Sequence, residues 1–159
     1  MRILLAIDGS PGSEAAIDEV CRRPWPPDSE IRVIMVISPL ESMLMKGAAQ
    51  YPPTYDDIFE HQSLETARHL SEIADAIKER APGFQVTPVL REGRPREAIL
   101  EEAEQWGADL IIVGSHGYGP LKRFFLGSVS LAIALHAPCS VEIVRRLPGF
   151  HDVESGKTL

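Results

Sequence analysis

Five short runs rich in branched aliphatic residues recur along the chain, and four segments with helical character separate them. The runs are Ile3 to Ile7, Ile31 to Ile37, Phe84 to Leu90, Asp109 to Val113 and Val141 to Val144. Most are continuously apolar rather than alternating, which is the pattern of a strand buried on both faces. Such strands need a layer of helices above and below them. Alternation of this kind implies an α/β fold, a doubly wound parallel sheet with helices on both faces. A chain of 159 residues holds one such domain comfortably.

The punctuation agrees with this reading. Ser10 followed by Pro11 starts a helix, because the Ser oxygen caps free amides and Pro needs none at the first helical position. Ala16, Ile17, Val20 and Cys21 supply its apolar face, and Pro24-Trp25-Pro26-Pro27 ends it. Residues 38–53 show no period and read as a long loop, a candidate lid. From Tyr55 to Arg80 the residues Leu64, Ala67, Ala74 and Ile77 mark one face of a long helix. Pro88 cannot donate to a ladder, so the third strand is expected at a sheet edge. Pro95 opens a helix with Ile99 and Ala103 inward and Gly107 at its end, and a last helix runs from about Gly127 to His136. There is no internal repeat.

A formal net charge of -7 disfavours a nucleic-acid partner. No apolar run is long enough for a membrane-spanning helix and no signal peptide opens the sequence, so no membrane partner and a cytoplasmic location are expected. Cys21 and Cys139 lack metal-ligand spacing and read as reduced, buried thiols.

Open parallel sheets bind ligands beyond the carboxyl ends of their strands, at the point where strand order reverses. The turns after the first and fourth strands are therefore the candidates. The first carries Asp8-Gly9-Ser10. The second runs from Gly114 to Ser130, with Gly114 and Gly117 for close backbone approach and Gly127-Ser128 opening a helix whose free amides suit phosphate oxygens. The Ser128 and Ser130 hydroxyls are expected to add donors.

The spacing Gly114-x2-Gly117-x9-Gly127-Ser128, together with Ile7-Asp8-Gly9-Ser10 and His136-Ala137-Pro138-Cys139, resembles the ATP-binding subgroup of the universal stress protein family over residues 1–146. Residues 147–159 form a tail beyond the resemblance. The resemblance implies a Rossmann-like, adenine nucleotide alpha hydrolase-like sheet of order 3-2-1-4-5. It also implies ATP held by Asp8, Val36, Gly114, Ser115, Gly117, Gly127, Ser128, Val129 and Ser130, with Mg2+ bridging phosphates and water. The function it implies is an ATP-binding protein of stress response or signalling, not an enzyme beyond slow hydrolysis, and a homodimer through the last strand.

The residues leave alternatives open. Asp8 suits a ribose hydroxyl but also stabilises a turn by itself. His116 lacks a triad or carboxylate partner and reads as turn packing. Lys122 and Arg123 suit phosphates or solvent equally, and Met35, Met43 and Met45 suit an adenine pocket or simple filling. Glu142 interrupts the last strand, which places it on an exposed face or at a subunit boundary. Competing functions are an adenylating or ATP-hydrolysing enzyme of the related type, which needs a phosphate loop directly after the first strand, and a nucleotide-free dimeric interaction module.

Overall fold

The computed structural model describes residues 1–38, 55–115 and 126–145, with side chains from residue 60 in the long helix. Along the chain come β1 (Arg2–Ala6), α1 (Pro11–Arg22), β2 (Glu30–Ile37), α2 (Tyr55–Arg80), β3 (Gln85–Glu92), α3 (Pro95–Trp106), β4 (Leu110–Gly114), α4 (Ser128–His136) and β5 (Ser140–Val144). The strands form one sheet of order β3-β2-β1-β4-β5, and every pairing is parallel. The expected sheet and strand order are thus present, and Pro88 does lie on an edge strand, where its missing N–H costs no internal ladder bond.

Why the strands read as unbroken apolar runs is visible in how they divide. Ile3, Leu5 and Ile7 of the β1 segment, with Leu110 and Ile112 of β4, pack under Ala16 and Val20 of α1 and Leu70, Ala74 and Ile77 of α2. Leu4, Ala6, Ile111 and Val113 face the other way, against Ile99 and Ala103 of α3 and Ile133 of α4. Both faces are dry. Each fully buried Leu or Ile side chain contributes about 1.5–3 kcal/mol relative to exposure, so the two central strands anchor the fold.

The long helix departs from its expected face. Leu64 is 66% exposed and Ala67 is also exposed, while Leu70, Ala74 and Ile77 carry the burial. Among the described side chains of α2, the fully buried ones lie in its C-terminal half, over the sheet. Met35 is core on the α1 and α2 side rather than part of a pocket. Residues 39–54 and 146–159, with Met43 and Met45, lie outside the described residues, as do the calls for a lid and a tail.

Two charged clusters were not anticipated. Glu102 of α3 is 2% exposed, yet Arg32 of β2 donates to its Oε1 at 2.6 Å and Arg91 of β3 donates to its Oε2. Burial pushes this carboxyl up, but the hydrogen bonds from Arg91 and Arg32 outweigh it and hold Glu102 below the ordinary carboxylate range. Arg32 also stacks 4.4 Å from the Trp106 ring centroid. The second cluster explains Glu142, which is half-buried and gripped by both terminal nitrogens of Arg23 at 2.5 and 2.7 Å. Glu142 therefore fastens β5 to the end of α1.

The amino edge of the sheet is closed by the chain's own groups. Asp109 Oδ2 accepts from the Arg2 amide at 2.7 Å, and the Trp106 carbonyl accepts from Arg2 Nη1 at 3.0 Å. Gly107, at φ 69°, caps α3 as expected. Cys21 and Cys139 are free and half-buried, and burial pushes both thiols up, away from the reactive thiolate.

Candidate functional site

The strand order reverses at β1 and β4, so the turns leaving these two neighbours face one crevice at the carboxyl edge. After β1 the chain continues pairing, with the Ile7 amide donating to the Ile34 carbonyl at 3.0 Å. It then turns through Asp8 and Gly9, the latter at φ 79°. Asp8 is exposed, and its Oδ1 accepts from the Ser10 amide at 2.9 Å. This is the turn-stabilising role that short Asp side chains fill alone.

Ser10 caps α1 as its sequence predicts: its Oγ accepts from the Ser13 amide at 3.3 Å, and Ser13 Oγ donates back to the Ser10 carbonyl at 2.9 Å. Pro11 occupies the first turn, where it has no amide to satisfy, and Glu14 adds an acidic group there. The start of α1 is thereby closed by its own side chains.

The second turn is built differently. β4 ends at Gly114, and Ser115 extends its ladder by donating to the Val144 carbonyl at 2.8 Å. The Ser115 carbonyl accepts from the Gly127 amide at 2.8 Å, so the two ends of the intervening loop meet. The Ser130 hydroxyl, only 3% exposed as a residue, donates to the Gly114 carbonyl at 2.7 Å. Gly127, in extended conformation, is the N-cap of α4; a glycine has no side chain to bond the helix amides, and the first turn holds no acidic residue. Among the described residues, then, this helix start has no side-chain cap, and its positive end faces the crevice.

Gly114 has a packing reason to be glycine. A Cβ there would lie 2.4 Å from the Gly12 carbonyl carbon, 2.6 Å from its oxygen and 2.9 Å from the Ser13 nitrogen. The first turn of α1 rests directly on the end of β4, so Gly114 serves the close approach of two backbones. In the sequence Gly12 and Ser13 suggest only a loose phosphate loop after the first strand, and nothing local to them announces a contact with a residue a hundred positions away.

Gly114, Ser115, Gly127 and Ser130 are thus joined by hydrogen bonds, and Ser128 is exposed at the mouth they form. Val129 is half-buried and packs on the α3 and α4 side. Val36, near the end of β2, packs on that same side and is half-buried. Ser130 differs from expectation, because its one hydroxyl proton is directed at Gly114 rather than outward. Gly117, His116, Lys122 and Arg123 lie outside the described residues. Among those described, no group of three His, Cys, Asp or Glu residues could hold a metal ion, and no helix is long and apolar enough to cross a membrane.

Comparison with known proteins gives the same picture. Universal stress protein YxiE of Bacillus subtilis is 30% identical over 148 residues, covering 91% of this chain and 98% of that one. Among solved structures, the hypothetical protein MJ0577 matches with a TM-score of 0.78 at 26% identity, over 93% of this chain and 97% of its own. A universal stress protein family protein from Arabidopsis thaliana, solved with AMP bound, has the same fold with a TM-score of 0.64 at 19% identity, over 93% of each chain. The model of the universal stress protein family matches residues 1–145, which takes in every strand, the switch point and both of its turns, and the chain belongs to that family.

Proposed function

We propose that this protein binds ATP at the start of α4 and uses it as a regulatory ligand in stress response or signalling. The observation that carries the reading is the first turn of α4, which no side chain caps among the described residues and which the Ser115 to Gly127 bond holds at the switch point. Backbone amides there, with the Ser128 hydroxyl, suit phosphate oxygens. Asp8 and Val36, on the turn after β1 and in neighbouring β2, border the side on which the nucleoside would extend. The AMP found in the Arabidopsis protein supports an adenine nucleotide as the ligand class. Mg2+ would be held by phosphates and water, consistent with a site built from amides and hydroxyls.

The ligand role, with at most slow hydrolysis, is preferred over an adenylating enzyme for a structural reason. That chemistry needs an open phosphate loop directly after β1, and the start of α1 is already occupied by Ser10, Ser13 and Pro11. A homodimer through β5 in the cytoplasm completes the reading. Among the described residues β5 has a partner strand on one side only, and Leu131 and Leu135 of the adjoining α4 are exposed.

Calorimetric titration of the purified protein with ATP-Mg2+, AMP and GTP is the test. Saturable binding of the adenine nucleotides with little response to GTP is expected. Failure of nucleotide-stripped protein to bind any of them would leave the dimeric interaction module in its place.

A further inference from the structure

Ser130 is buried to 3% exposure and spends its only hydroxyl proton on the Gly114 carbonyl, 2.7 Å away. We infer that Ser130 is a positioning residue for the ligand site: it fastens the first turn of α4 to the end of β4 and offers a phosphate nothing through its hydroxyl. The inference rests on the nucleotide reading above and assigns the roles of the two serines within it.

The argument is one of proton inventory. A serine hydroxyl donates once, and the oxygens of an ionised phosphate only accept. A direct bond from Ser130 to phosphate would strip the Gly114 carbonyl of its donor, and Gly114 is buried. Leaving a buried acceptor unpaired costs more than the typical net gain of a new hydrogen bond, so the existing bond wins. Ser128 is exposed, and its hydroxyl is the side-chain donor a ligand can reach.

The fastening has a second strand of support. Gly127 donates to the Ser115 carbonyl at 2.8 Å, so residues 127 and 130, one helical turn apart, are tied to the adjacent residues 115 and 114. Two ties at the two ends of one turn fix both the height of the helix and its rotation. The amides of Ser128 and Val129 between them are held in place before any ligand arrives, which lowers the ordering cost of binding. Gly114 is also where the first turn of α1 rests, so the same carbonyl residue locks both turns of the switch point.

The test compares wild type with Ser130→Ala, Ser130→Thr and Ser128→Ala. Affinity for ATP and AMP is read by calorimetry, and exchange of the Gly127 amide is read by hydrogen exchange without nucleotide. Ser130→Ala is expected to weaken both nucleotides by a similar factor, roughly three- to tenfold, as loss of one hydrogen bond implies. It should also speed exchange at Gly127 in the empty protein, and Ser130→Thr, which keeps the hydroxyl, should restore both. Ser128→Ala should weaken binding while leaving Gly127 exchange unchanged. A Ser130→Ala protein that loses affinity with Gly127 exchange unaltered would overturn the inference, since the hydroxyl would then be touching the ligand. So would a variant that changes neither property. Absence of nucleotide binding in the wild type would instead overturn the nucleotide reading, and the exchange comparison would still decide whether the clasp exists.

Discussion

Two helices begin at the same carboxyl edge of the sheet, and their first turns are finished in opposite ways. α1 is capped by Ser10 at the Ser13 amide, opened by Pro11 and flanked by the acidic Glu14, so its positive end is partly offset. Among the described residues, α4 begins at Gly127 with no side-chain cap and no acidic group in its first turn. A glycine at the N-cap in place of a Ser or Asp forgoes roughly a few tenths of a kcal/mol. The contrast teaches that two helices can share a switch point and still differ in what their first turns offer an anion, which is why the proposed phosphate site is placed at α4.

Gly114 is where the two regions touch, and altering it should have the largest effect. Gly114→Ala places a methyl group within 2.4 to 2.9 Å of three backbone atoms of Gly12 and Ser13, none of which can swing aside as a side chain would. A loss of about 3 kcal/mol in unfolding free energy is expected, at the upper end of overpacking costs. Chemical denaturation measures it. A variant as stable as wild type would mean that the first turn of α1 does not press on the end of β4, and the two turns would then be independent.

Making the second helix start resemble the first is the next test. Gly127→Asp supplies the missing cap at an extended backbone position, φ −60° and ψ 152°, that an Asp adopts without strain. Stability of the empty protein should hold or rise by a few tenths of a kcal/mol. Nucleotide affinity should fall by about 2 kcal/mol, roughly thirtyfold, because a carboxylate would occupy the amides and repel phosphate in a partly desolvated crevice. Undiminished binding by this variant would move the phosphates elsewhere.

Much of this was legible beforehand, for physical reasons that can be traced. The sheet could be read because Ile3-Leu4-Leu5-Ala6-Ile7 and Leu110-Ile111-Ile112-Val113 bury both faces, which leaves no polar alternation to confuse. The α1 cap could be read because Ser10 and Pro11 are neighbours in sequence. What escaped were contacts between residues far apart. Glu102 looked like one acid among several on α3, although its place beside Ala98, Ile99 and Ala103 on the buried face was a signal, as was Arg32 inside an aliphatic run. The bond from Ser130 to Gly114 could not be read because donor and acceptor lie sixteen residues apart. Leu64 misled because amphipathic periodicity says which face of a helix is apolar but not how far the sheet beneath it extends.

Removing the cap that α1 already has should give the smallest effect and complete the contrast. Ser10→Ala deletes the acceptor for the Ser13 amide, while Ser13 Oγ keeps its bond to the Ser10 carbonyl and Asp8 keeps its bond to the Ser10 amide. Because the lost bond is long at 3.3 Å, a destabilisation of about 1 kcal/mol or a little less is expected, in the middle of the range for cap removal. ATP affinity should stay within about twofold of wild type, since the amide freed belongs to α1 and the proposed phosphate site is at α4. A calorimetric titration beside a denaturation curve reads both quantities on one sample. Should Ser10→Ala instead strengthen ATP binding severalfold, the opened start of α1 would have become a second phosphate site. The cap on α1 would then be what steers the ligand towards α4, and the two turns would be competitors for one anion rather than a closed support beside an open site.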